Sequence, residues 1–218
     1  DQLRTLDKEL FDITLVTLTQ PEVENFYSQI PSHINIIKLN LESFKNPKNL
    51  LTLFKVLKSI KPDIVKSSLY LSNTMSRILQ PFLGYKLVTA EHNTNDGKKA
   101  LQRFTNRMLY RLSTTTIVDS VMVAEHLSKI DNIPFSHYTV VHNGVDLDAI
   151  QRSRESLLSQ RESLRLSYGV GTDEMLFLSI GRIIRQKNHV RMVEAFSLLL
   201  KNRPKCKLII IGDGGLKG

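Results

Sequence analysis

The chain has 218 residues, 41% hydrophobic and 23% charged, with 30 basic against 21 acidic side chains and a formal charge of +9. That is an ordinary globular composition with room for one large domain or two small ones. Its positive surface draws anions, including phosphates, anionic lipid and nucleic acid alike. A single cysteine, Cys206, excludes an internal disulfide, and no apolar run reaches the length of a membrane span.

Short β-branched runs alternate with helical patterns from the start. Strands are expected at Asp12 to Leu18, Ile34 to Leu39, Asp63 to Ser68, Lys86 to His92, Thr114 to Ser120 and Tyr138 to Gly144. Several are apolar at consecutive positions, as strands covered on both faces are. Asn46 and Pro47 supply an N-cap and a first-turn proline, and Leu50, Phe54 and Leu57 mark one face of a helix that Lys61-Pro62 stops. A second helix follows Asp96, with Leu101, Phe104, Met108 and Leu112 at helical spacing, and a third runs from Val121 to Asp131. Strand and helix in alternation predict a parallel sheet with helices on both faces.

After Asn143-Gly144 the character changes. Residues 146–172 are polar and helical and predict a connector between two α/β domains, 1–145 and 173–218. In the second domain the pattern restarts as strand "EMLFLSIG", helix "NHVRMVEAFSLLLKNRP" and strand "KLIIIGDG". Two strands and one helix do not close a core. Together with a first residue that is Asp1 rather than Met, and a last stretch "GDGGLKG", this reads as a chain cut at both ends, with its second domain incomplete.

The richest stretch is "SIGRIIRQKN", Ser179 to Asn188. Ligands of parallel sheets sit outside the carboxyl ends of strands, and Gly181 lies at such an end, where a ligand can approach the backbone. Arg182 offers a planar fork for phosphate oxygens and Lys187 a compact ammonium. Asn188 is expected to cap a helix whose positive end aims at the same crevice. The next strand ends in another glycine-rich turn, Gly212-Asp213-Gly214-Gly215, again permitting close approach. An Arg and a Lys after a strand are by themselves commonly just a solvated loop; the joint pattern sets this one apart.

That joint pattern resembles the second domain of retaining GT-B glycosyltransferases, specifically glycosyltransferase family 4. The resemblance implies two Rossmann-type domains, the first lacking its opening strand. It implies a nucleotide-sugar donor whose diphosphate is gripped without a metal ion by Arg182 and Lys187, with Gly181 and the turn Gly212, Asp213, Gly214 bordering the donor. "VVHNGVD", Val140 to Asp146, resembles the family's "NGVD" signature and so marks Asn143 and Gly144. "AEHN" resembles the family's first-domain histidine and makes His92 a group facing the donor sugar. Ser120 also fits the family pattern, and equally well a plain N-cap. A family element of two glutamates seven residues apart is absent from this sequence, so the 218 residues alone are expected to be inactive. Another GT-B enzyme, such as a nucleotide-sugar epimerase, stays open, as does a non-catalytic basic module binding anionic membrane or nucleic acid.

Other residues carry weaker signals. Asp146-Leu147-Asp148 spells D-x-D, but it follows the Asn-Gly turn; Asp146 is read as a turn residue, and no metal is expected. His33, His126, His137 and His189 read as surface or capping residues, His142 as part of a strand, and Glu91 as facing away from His92. Lys99, Arg103, Arg107 and Arg111 recur at every fourth position of the second helix. Like charges so spaced cost about 0.2–0.5 kcal/mol per pair, which something should offset. The plain reading is a solvated face; the sharper one is a basic amphipathic helix on an anionic membrane, suited to a lipid-linked acceptor. With no Trp and no aromatic interleaving, nucleic acid is not an expected partner. A cytoplasmic location, peripheral on the inner membrane face, follows from these readings.

Overall fold

The structure, a computed structural model, describes residues 2–19, 24–41, 46–92 and 98–216. Asn93 and Asp96, both used in the sequence reading, lie outside them. The chain divides into two compact units, Asp1–Gly144 and Val145–Gly218.

The first unit opens with a short helix α1 (Gln2–Thr5), then strands β1 (Thr14–Thr17) and β2 (Asn35–Lys38). Helix α2 (Pro47–Ile60) begins as its sequence dictates, Asn46 Oδ1 accepting from Lys48 N at 3.0 Å ahead of the proline, and ends on Lys61 in the left-handed region. There follow β3 (Ile64–Ser68), α3 (Tyr70–Leu83), β4 (Lys86–Glu91), α4 (Ala100–Leu109), β5 (Thr115–Val118), α5 (Val121–Asp131) and β6 (Tyr138–Val140). Every pairing is parallel. The sequence signals predict one six-stranded sheet, but the ladders form two: β1-β2, and β3-β4-β5-β6. A common core joins them all the same, since Val16, Leu18 and Leu39 pack on the cluster of Leu53, Leu57, Met75, Leu79, Tyr85 and Leu87.

Neighbouring parallel strands in chain order, joined by right-handed crossovers, put their helices on one face. Accordingly α3, α4 and α5 meet over the face carrying Leu87, Thr89, Glu91, Thr116 and Val118. On the opposite face Val88 and Ile117 are part-buried and Ala90 is fully buried. Over the covered face runs a buried polar network. Arg77, 3% exposed, donates from Nη1 to Asn106 Oδ1 (3.1 Å), from Nη2 to Thr89 Oγ1 (3.1 Å) and from Nε to Ser113 Oγ (3.4 Å). Asn106 Nδ2 donates to Asp131 Oδ2 at 2.9 Å, and Lys98 Nζ meets the same oxygen at 2.8 Å and Glu91 Oε1 at 4.0 Å. Asn73 links Glu91 (3.4 Å) to Ser67 Oγ (2.8 Å). Burial lowers the pKa of Arg77, and the charges of Glu91 and Asp131 draw it back.

The second unit begins with α6 (Leu147–Leu157) and α7 (Arg161–Ser167), the polar segment between the two α/β patterns; both line a groove with Leu176 and Leu178. Gly169, at φ +67°, closes α7, with Val170 N donating to Arg165 O at 2.9 Å. Strands β7 (Met175–Ile180) and β8 (Cys206–Ile211) pair in parallel around α8 (His189–Asn202), whose Phe196 meets Phe177 edge-on at 5.8 Å. Among the described residues of this unit, the buried hydrophobic side chains are Val170 and Cys206.

Candidate functional site

Each unit carries a rim of polar groups at the carboxyl end of its sheet. In the second unit the rim is the sequence motif. β7 and β8 stop in register, Ile180 beside Ile211, so Gly181 and Gly212 leave the sheet together. The two loops then stay zipped: Gly181 N donates to Ile211 O (3.0 Å), Ile183 N to Asp213 O (2.8 Å) and Leu216 N to Ile183 O (3.2 Å). This gives the glycines a task within the loop pair itself. A Cβ on Gly212 would lie 1.9 Å from Gly181 O, and one on Gly214, at φ +159°, would lie 2.4 Å from Ile183 O. The close approach they permit is that of the chain's own neighbouring loop. Gly181 differs: beside it lie only the aliphatic carbons of Lys187, the nearest at 3.8 Å, and the space is otherwise open.

The Arg182 and Lys187 side chains are exposed. His189 Nε2–H donates to Arg182 O at 3.0 Å and so ties the loop to the first residue of α8. Asn188 occupies the N-cap position in the left-handed region, φ +51°, and its side chain makes no capping bond, against the sequence expectation. The first turn of α8 thus lacks a side-chain cap from Asn188, next to two cations at one strand end. Such an arrangement can hold a multiply charged anion such as a diphosphate.

In the first unit three neighbouring strand ends contribute. His92 follows β4, Asp119 follows β5 and His142 follows β6. His92 Nδ1 lies 2.9 Å from Asp119 Oδ1, with the His92 side chain 43% exposed. His142 Nδ1 lies 3.0 Å from Asp119 O; it stands beyond β6 rather than within a strand. Asp119 escaped the sequence reading because an Asp at a strand end signals a turn as readily as a partner for histidine. Glu91 points away from this rim into the buried network. Ser120 caps α5, its Oγ accepting from Val123 N at 3.3 Å. Asn143 and Gly144 are exposed, and nothing lies within 4 Å of where a Gly144 Cβ would stand. Asp146 of the D-x-D triplet caps α6, accepting from Ala149 N at 2.8 Å.

Two further placements depart from expectation. His137 is half-buried rather than open to solvent: it sits edge-on to Tyr110 and Tyr138, and burial, aided by the Arg77 charge, lowers its pKa to about 4. On α4 the apolar side chains point outward, Leu101 72%, Phe104 62% and Met108 63% exposed, while the polar Asn106 faces the core. Of the basic stripe, Arg107 is exposed, Arg103 has a buried Nε, Lys99 stands at the N-cap, and Arg111 lies over the Tyr110 ring at 5.7 Å. No helix among the described residues is long and apolar enough to cross a membrane.

Comparison with known proteins settles the kinship. The Glycosyltransferase Family 4 profile matches residues 1–149, and the profile for glycosyl transferases group 1 matches residues 160–217. The chain belongs to Glycosyltransferase Family 4. A relative within reach is the UDP-Gal:alpha-D-GlcNAc-diphosphoundecaprenol alpha-1,3-galactosyltransferase of Escherichia coli, 24% identical over 230 positions, 99% of this chain and 57% of that protein. The alpha-monoglucosyldiacylglycerol synthase of Acholeplasma laidlawii is 31% identical over 77 residues, 35% of this chain and 19% of the synthase. Among solved structures, Anabaena HepE in complex with UDP superposes with a TM-score of 0.72 at 15% identity, over 93% of this chain and 54% of HepE. That likeness establishes the α/β GT-B fold. The chain spans about half the length of the galactosyltransferase and of HepE.

Proposed function

We propose that the protein transfers a sugar from a nucleotide-sugar donor to a lipid-linked or saccharide acceptor, with retention of configuration and without a metal ion. The observation that carries this reading is the rim after β7. Two exposed cations and the first turn of a helix meet there at one strand end, within a chain of this family. Arg182 and Lys187 stabilise charge developing on the departing diphosphate, the step at which preorganised electrostatics lowers the barrier most. His92 hydrogen-bonds the donor sugar. The galactosyltransferase takes its name from a UDP-sugar donor and HepE was crystallised with UDP, so a uridine nucleotide is the donor to test first.

The outward apolar face of α4 supports a lipid-linked acceptor. Three large hydrophobic side chains beside exposed Arg107 form a surface that an anionic bilayer covers from the cytoplasmic side, lipid taking the apolar groups and headgroups the charge. The test of the reaction is an assay of a chain extended to the length of its relatives, with a UDP-hexose and a lipid diphosphate acceptor in the presence of a chelator, the product anomer read by NMR. Retained configuration and undiminished turnover are expected. An inverted anomer, or activity lost on chelation, contradicts the mechanism.

A further inference from the structure

The rim of the first unit contains a residue to which the family resemblance gives no role. Asp119 receives two imidazoles from two different strand ends, His92 on its carboxylate and His142 on its backbone carbonyl. Neither acceptor can donate: a carbonyl oxygen has no proton, and an ionised carboxylate has none either. The proton must therefore sit on Nδ1 of both rings, and a neutral ring then presents Nε2 as a lone pair. His92 is open to solvent, and its Nε2 makes no hydrogen bond among the described residues.

We infer that Asp119 is a positioning residue: it holds His92 in the Nδ1–H tautomer, so that Nε2 faces the space beyond the strand ends as a hydrogen-bond acceptor for a hydroxyl of the bound sugar. The part played by the sugar rests on the function proposed above; the tautomer does not. Three features of the sequence produce the arrangement. β4, β5 and β6 are adjacent and parallel, so the residues that follow them leave the sheet side by side. The ladder continues one step beyond β6, Val141 N donating to Val118 O at 2.9 Å, which carries His142 alongside Asp119. Ser120 then starts α5 at once and fixes the backbone of Asp119 between a strand and a capped helix.

An acceptor of fixed tautomer selects its ligand. A hydroxyl donates to Nε2, whereas a sugar lacking that hydroxyl leaves the lone pair unsatisfied. The same geometry limits His92 as a proton donor, because in its neutral state the only N–H is spent on Asp119. His92 thus orients the sugar and does not protonate the leaving group.

The test is a nitrogen-15 NMR measurement of the ring nitrogens of His92 and His142 in this chain, above the titration range of histidine. In the wild type both rings should be Nδ1–H. Asp119→Ala removes the carboxylate and keeps the carbonyl, so His92 should move to the Nε2–H form that imidazoles prefer in water while His142 stays Nδ1–H as an internal control. Asp119→Asn, which preserves the side-chain volume, should also loosen the preference of His92 with His142 unmoved. A wild-type His92 in the Nε2–H form overturns the inference, and so does a His92 tautomer indifferent to both substitutions. In the transfer assay Asp119→Ala should lower turnover about tenfold, the equivalent of one hydrogen bond, with the donor KM little changed. In a His92→Ala background it should cost nothing more. A further loss there would mean that Asp119 acts on the fold and not through His92. Failure of the site reading would show differently: the tautomers as described, but His92→Ala transferring sugar at the wild-type rate.

Discussion

Arg77 and His137 sit within one electrostatic neighbourhood, and each makes a distinct prediction at the scale of a residue. Arg77 is buried with its donors spread over Asn106, Thr89, Thr116 and Ser113, which draws together α3, α4 and strands β4 and β5. Arg77→Met removes the donors and leaves four polar acceptors under cover, so unfolding free energy should fall by about 3 kcal/mol, read from a denaturant midpoint. A loss within experimental error would mean that water enters the network freely. His137, held neutral to about pH 4, couples the same region to pH. Above about pH 6.5 the ring is neutral folded and unfolded, and contributes no pH dependence. Between there and pH 4 the unfolded chain binds a proton that the folded chain refuses, so stability falls as the solution is acidified. His137→Phe should flatten that limb of the stability curve; an unchanged acid limb would place the titration elsewhere.

At the scale of elements, α4 and the paired loops after β7 and β8 are the informative cases. An amphipathic helix normally buries its apolar stripe. In α4 the spacing of Leu101, Phe104 and Met108 shows the stripe but not which way it faces, because the side that packs is chosen by Asn106 joining Arg77 and Asp131, partners distant in sequence. Phe104→Ser with Arg107→Glu should abolish sedimentation with anionic vesicles and leave thermal stability intact, since both side chains are exposed. Arg103 is unsuited to that experiment because its Nε is buried. Wild-type protein that never sediments with such vesicles would make the outward face something other than a membrane surface. In the loop pair, Gly212→Ala must push Gly181 aside, so it should weaken nucleotide binding without touching the nucleotide. Affinity equal to wild type would mean that the loop gives way without moving Arg182. The helix α3 was not singled out in the sequence: an internal Pro81 and a start at Leu69, in a positive-φ conformation without a side-chain cap, hide its signals.

For the whole molecule, the alternation of strands and helices was legible because each strand is short, β-branched and bounded by a cap or a turn residue. Strand order was not legible. Pairing depends on which edges meet, and the division into β1-β2 and β3-β4-β5-β6 has no local signal. Of the candidate site, Arg182, Lys187 and His92 stood out by motif, whereas Asp119, His142 and the buried network depend on contacts between residues tens of positions apart. The two units also differ in how much they bury: among the described residues, buried hydrophobic side chains fall almost wholly in the first. Hydrogen exchange of this chain should therefore show strong protection in β3 to β6 and weak protection in β7 and β8. The central claim is that the rim after β7 holds the diphosphate of a nucleotide. Calorimetric titration of the protein with UDP, for wild type, Arg182→Ala and Lys187→Ala, tests it most directly. A charge-assisted hydrogen bond contributes about 1.5–3 kcal/mol, so each substitution should weaken binding by about tenfold or more. Affinity unchanged in both variants would contradict the claim.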